Sequence, residues 1–219
     1  MKDIGFITSG DGAHLKCYQD FEPYLDEQIH PPTIDRADLT CFEALVILDF
    51  SYQQLLRKHT GQTSDYLAQG GFLIVFEPNR MDEWLKAVAV PWFSCETEDW
   101  KWWMRPGGRM EFKNFHRQEG ILGQYARGYS DPREGAEWLC MIGGPTPDGT
   151  IDEDPIDWVW RMPSGGKLFM HNGDNIDHFC SDPRHQPNLF HDILSALTFS
   201  HERSEGRWSG DPISTEGSR

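Results

Sequence analysis

The chain has 219 residues, enough for one substantial domain with a buried core. Its 35 acidic residues against 20 Lys and Arg give a formal charge of -15, which argues against gripping phosphate backbones through clustered cations and so against nucleic acid as a partner. Cys17, Cys41, Cys95, Cys140 and Cys180 are odd in number and lack close CxxC spacing, and no stretch approaches the roughly 20 apolar residues of a membrane helix, so a reduced, cytoplasmic protein without membrane contact is expected.

Residues 4–8 form a short apolar run that reads as a first strand, and Ser9-Gly10-Asp11-Gly12 reads as a tight loop after it. A helix is expected from about Ala13, carrying Leu15, Tyr18, Phe21 and Leu25 and interrupted near Pro23, with His30-Pro31-Pro32 ending it. Residues 44–50 are the strongest strand signal. A helical stretch over 52–69 follows, weakened in its middle by Gly61. Residues 72–76 read as the next strand and 81–88 as a short helix.

From 91 to 128 the character changes. Trp92, Phe93, Trp100, Trp102, Trp103, Phe112 and Phe115 crowd together with Arg105, Arg109, Lys113 and Arg117, without helical spacing, which reads as an irregular or β-rich aromatic insertion. Residues 137–142 form another short strand closed by Gly143-Gly144-Pro145, and 145–155 an acidic, turn-rich loop. The alternation over 156–161 reads as an edge strand, 168–170 as a core strand, and 189–199 as a closing helix with Leu189, Ile193, Leu194 and Leu197 on one face. Residues 201–219 are polar and read as a tail, so the domain is expected to span 1–200.

One cadence occurs twice: Gly70-Gly71 leads into Phe72-Leu73-Ile74-Val75-Phe76-Glu77-Pro78-Asn79, and Gly165-Gly166 leads into Lys167-Leu168-Phe169-Met170-His171-Asn172-Gly173-Asp174. A glycine-capped helix feeding an unbroken apolar strand is the grammar of an α/β sheet covered on both faces. Ligands of such sheets sit at the carboxyl ends of strands, where Glu77, Asn79, His171 and Asp174 fall. With the loop carrying Asp11, Gly12 and His14, these segments resemble the class I glutamine-amidotransferase-like superfamily, and its ThuA-like branch in particular. The resemblance implies a flavodoxin-like, mainly parallel sheet with helices on both faces, an association with carbohydrate metabolism, and a small hydroxylated, sugar-type molecule bound at the carboxyl edge. The family's Gly-x-Cys-x-Gly nucleophile elbow is missing: the strand after Gly71 runs into Glu77-Pro78-Asn79, so glutamine hydrolysis is not expected.

Three chemistries suit the residues near the strand ends. His14, Glu77 and His171 form a candidate acid/base set, with Asp11, Asn79 and Asp174 as binding residues around it. His171, Asp174 and His178 offer a divalent-metal set with His14 or Glu77, though the spacing matches no standard zinc signature and also fits a plain turn with a capped helix. Trp102 and Trp103 offer flat faces for a sugar ring or for a protein interface, or they belong to a subsidiary core. Cys95 and Cys180 sit in no elbow. The rival to a small-molecule site is a non-catalytic interaction subunit that uses the acidic surface and the tryptophan-rich insertion to hold a protein partner.

Overall fold

The computed structural model describes residues 2–22, 25–48, 53–76, 81–85, 92–94, 103–106, 128–130, 132–145 and 151–172. Among the described residues there are ten strands, β1 (Lys2–Ile7), β2 (Glu27–Ile29), β3 (Phe42–Ile47), β4 (Phe72–Phe76), β5 (Trp92–Ser94), β6 (Trp103–Pro106), β7 (Gly128–Ser130), β8 (Glu137–Pro145), β9 (Ile151–Arg161) and β10 (Lys167–His171). Eight of them make one sheet in the order β2-β1-β3-β4-β10-β9-β8-β6, while β5 and β7 form a separate antiparallel pair. The chain is an α/β protein whose large sheet is mixed. From β2 to β10 every neighbour is parallel, and from β10 through β9 and β8 to β6 every neighbour is antiparallel.

The parallel half follows from sequence. β4 and, from Ala44 onward, β3 are unbroken apolar runs, and strands of that kind are stable only when both faces are covered. One face carries Ile7, Leu45, Ile47, Leu73, Val75, Leu168, Met170 and Trp158, packed beneath Leu56, Tyr66, Leu67, Met81 and Trp84. The alternate residues Ile4, Phe6, Val46, Ile74, Phe76, Phe169 and Val159 are buried too. Over β1 that second layer meets the helix Gly12–Asp20, where the Phe6 ring lies 6.2 Å from His14 and 6.1 Å from Tyr18.

Several elements differ from the sequence reading, each for an identifiable reason. The first helix stops at Asp20, short of Pro23, because proline and the residue before it resist the helical interior. The chain then forms a parallel edge strand, β2, before Pro31, so the His30-Pro31-Pro32 punctuation ends a strand and opens a 3-10 turn over Pro31–Arg36. The stretch expected as one helix over 52–69 is a 3-10 segment, Gln54–His59, followed by the α-helix Thr60–Ala68. Gly143, Gly144 and Pro145 continue β8 instead of closing it, paired with Glu153, Asp152 and Ile151, and the stretch 151–155 is strand where a loop is expected. β9 is an inner strand between β10 and β8, and β6 forms the edge of the sheet beyond β8. The insertion thus contributes strands, as a β-rich reading has it: β6 extends the main sheet, and β5 pairs with β7. The helix expected over 81–88 is present as Met81–Trp84, while its residues 86–88, the helix expected over 189–199 and the tail over 201–219 lie outside the described residues.

Gly61 sits in the first turn of Thr60–Ala68, exposed, and a Cβ there would meet nothing within 4 Å. Gly61→Ala is therefore expected to stabilise the protein by about 0.4–1 kcal/mol, because alanine restricts the unfolded chain without a folded-state clash. A denaturant titration checks it, and a lower midpoint would show that the glycine has a role the helix does not reveal.

Candidate functional site

The carboxyl ends of the parallel strands collect buried polar side chains in an otherwise mostly apolar core. Thr8 follows β1, Gln53 reaches β4, His171 ends β10 and is followed by Asn172, and Asp157 lies on β9 directly across from His171. Buried polar groups of this kind are held by hydrogen bonds, and their partners show what each is for.

Around β1 the loop closes on itself. Gly10 N–H donates to Thr8 Oγ1 at 3.1 Å and Asp11 N–H to Ser9 Oγ at 3.1 Å. Asp11 Oδ1 accepts from the His14 N–H at 2.9 Å, the bond of a helix N-cap, and Asp11 Oδ2 accepts from the Ser9 hydroxyl at 3.1 Å. The carboxylate thus occupies the helix N-terminus that would otherwise attract an anion. His14 is 1% exposed, with Nδ1 at 3.1 Å from Thr8 Oγ1 and 3.9 Å from Asp11 Oδ2. His30 Nδ1–H donates to the Thr8 carbonyl at 3.1 Å and ties the loop to the segment after β2.

At β10 the second imidazole is equally enclosed. His171 and Asp157 are cross-strand partners at 1% and 0% exposure, with Nδ1 and Oδ1 2.5 Å apart. The edge of the Phe76 ring packs on the imidazole, centroids 5.3 Å apart at 61°, and Gln53 Nε2 donates to the Phe76 carbonyl at 2.9 Å. Asp157 Oδ2 has no hydrogen-bond partner among the described residues. The pair sits at the seam of the sheet, where β10 is parallel to β4 on one side and antiparallel to β9 on the other.

The structure does not bring the two candidate imidazoles together. β3 and β4 lie between β1 and β10, and three strand spacings put β1, whose following helix carries His14, about 14 Å from β10, which carries His171. His14 and His171 anchor different parts of the sheet edge. Glu77, Asn79, Asp174, His178 and Trp102, with Cys95 and Cys180, lie outside the described residues, and Trp103 is placed as the first residue of β6. No group of three His, Cys, Asp or Glu suited to a metal occurs among the described residues. Asp157 escaped the sequence reading, although a lone carboxylate inside the apolar run Ile156-Asp157-Trp158-Val159-Trp160 was its signal.

No helix among the described residues is long and apolar enough to cross a membrane. No family model matches the chain, and no curated protein matches it. Among solved structures, one described as "mmIFT52 N-terminal domain" is similar over 92% of this chain and 100% of that chain, at 14% identity and a TM-score of 0.49. The expected kinship with ThuA-like and other class I glutamine-amidotransferase-like proteins is corrected, and the carbohydrate association goes with it: no model of such a family matches. The physical reason lies in the cadence itself, since a Gly-Gly joint before a buried strand serves any parallel α/β sheet and marks no single family.

Proposed function

We propose that this chain is a non-catalytic interaction subunit that holds a protein partner through its surface. The observation that carries the reading is the enclosure of both candidate imidazoles: His14 and His171 are each 1% exposed, His14 beside the buried Thr8 and the partly exposed Asp11, His171 against the buried Asp157. Groups that act on a substrate must touch it, and these stabilise the sheet edge instead. The formal charge of -15 favours partners of opposite charge and rapid, salt-sensitive association.

The strand order β2-β1-β3-β4-β10, all parallel, supports a flavodoxin-like parallel half to which an antiparallel extension has been added. Among the described residues Cys17, which is buried, and Cys41 are joined in no disulfide, which favours a reducing, cytoplasmic setting.

The test is a thermal-shift series against divalent metals, sugars and sugar acids, beside tagged-chain capture of partners from cells at two salt concentrations. The expected result is no ligand-dependent rise in melting temperature and a stoichiometric protein partner released by salt. A sugar- or metal-dependent rise that disappears in His171→Asn would overturn the proposal.

A further inference from the structure

We propose that the β8–β9 hairpin is the docking surface, and that its occupant is an arginine-rich segment of the partner protein, which lays its guanidinium groups over Trp138. This rests on the interaction-subunit reading and names the site and the partner's chemistry.

The apolar face of the sheet does not end where its covering helices end. Trp158, fully buried, belongs to the main core, and Trp138 lies directly across from it on β8, so the two share a face. Trp160, two residues along β9 on that face, is partly buried against the same core, as are Ala136 and Met162. Trp138 is 46% exposed. The core therefore continues into an aromatic ledge whose outer member is open, which distinguishes Trp138 from a scattered surface side chain.

Charge selects the occupant. The segment 132–161 carries Glu134, Glu137, Asp148 and the run Asp152-Glu153-Asp154, besides the internally paired Asp157, against only Arg133 and Arg161. Asp154, Glu153 and Asp152 stand at the register positions of Ile142, Gly143 and Gly144, farther along the same hairpin as Trp138. The ledge already accepts one guanidinium: Arg133 Cζ lies 5.9 Å from the Trp160 ring centroid. Arginine combines a flat cation that stacks on indole with a fork that pairs carboxylates, so an Arg-rich segment satisfies both features of the hairpin at once.

The experiment measures binding of the full chain to a fluorescein-labelled Arg-rich peptide by anisotropy. Its controls are the Lys-for-Arg and Glu-for-Arg peptides and a single-stranded oligonucleotide. Expected are binding of the Arg peptide, several-fold weaker binding of the Lys peptide and none of the Glu peptide or oligonucleotide. Trp138→Ala should weaken the Arg peptide about tenfold, and Glu134→Lys should weaken it less and reduce its salt dependence. Because Trp138 is exposed, both variants should keep the wild-type melting temperature, which is measured alongside. Equal affinity of Trp138→Ala and wild type, or equal binding of the Glu peptide or oligonucleotide, would overturn the site. A captured protein partner that survives Trp138→Ala refutes the ledge while leaving the interaction-subunit reading in place, whereas a His171-dependent sugar shift removes that reading itself.

Discussion

Gly166→Ala is expected to be among the most damaging single-methyl changes in this chain, costing about 3 kcal/mol or more and leaving little folded protein at physiological temperature. A Cβ on Gly166 would overlap the carbonyl oxygen of Leu67 and stand 3.0 Å from the carbonyl carbon. That carbonyl cannot yield cheaply. It belongs to the last turn of the Thr60–Ala68 helix and accepts from the Gly70 N–H at 3.2 Å, while next door the Lys167 N–H donates to the Gly71 carbonyl at 2.9 Å. Making room means lifting β10 off β4 or unwinding the helix end. The two Gly-Gly pairs thus divide two tasks between their members. Gly70 and Gly165 adopt φ of +99° and +94°, where alanine costs about 1–2 kcal/mol, and Gly71 and Gly166 allow close approach.

A Cβ on Gly71 would lie 2.5 Å from the Tyr66 ring, which is itself held because Tyr66 Oη accepts from the Phe72 N–H at 3.2 Å. Burial pushes the Tyr66 hydroxyl well above the usual phenol range, so it stays a neutral hydrogen-bonding group. Chemical denaturation of the three alanine variants should rank them Gly166, then Gly71, then Gly165 in order of decreasing loss. A Gly166→Ala protein melting within a few degrees of wild type would show that the helix end and β10 are not in contact as described.

The same joints show what was legible in the sequence. An apolar run after a Gly-Gly pair announced β4 and β10, because burial on both faces favours apolar residues and the close approach leaves room only for glycine. Their place in a parallel sheet was implied by that same unbroken apolar run, which needs cover on both faces. The antiparallel half was harder to read. Gly143-Gly144-Pro145 looks like punctuation yet lies in β8, since a long hairpin tolerates glycine and terminal proline when the partner strand supplies the register. β2 has three residues, too few for any periodicity to register, and exists because β1 offers it a free edge. As for the site, the strand ends were identifiable as places where polar residues gather, but convergence was not. Local pattern cannot reveal that two strands separate His14 from His171, because strand order is a property of the whole sheet.

The Asp157–His171 pair provides the second large effect and bears directly on function. Each single truncation strands a polar group in a buried place: His171→Ala removes the side-chain partner that the carboxylate has among the described residues, and Asp157→Ala leaves Nδ1 without Oδ1. Losses of about 3–5 kcal/mol are expected for a buried pair broken on one side, with His171→Ala the worse because a carboxylate is the costlier group to desolvate alone. The double variant Asp157→Leu/His171→Phe removes both polar groups and restores apolar volume at the seam, so it should be markedly more stable than either single truncation. A double-mutant cycle on the alanine variants should show that the two losses do not add, with a coupling of at least about 1 kcal/mol. This outcome belongs to a pair whose work is to hold β9 against β10. A pair selected for chemistry gives the opposite pattern, since active-site groups are commonly kept at the expense of stability and their removal is neutral or stabilising. If His171→Ala melts at or above the wild-type temperature, the imidazole is not serving the fold, and the case for an enclosed, non-catalytic sheet edge fails with it.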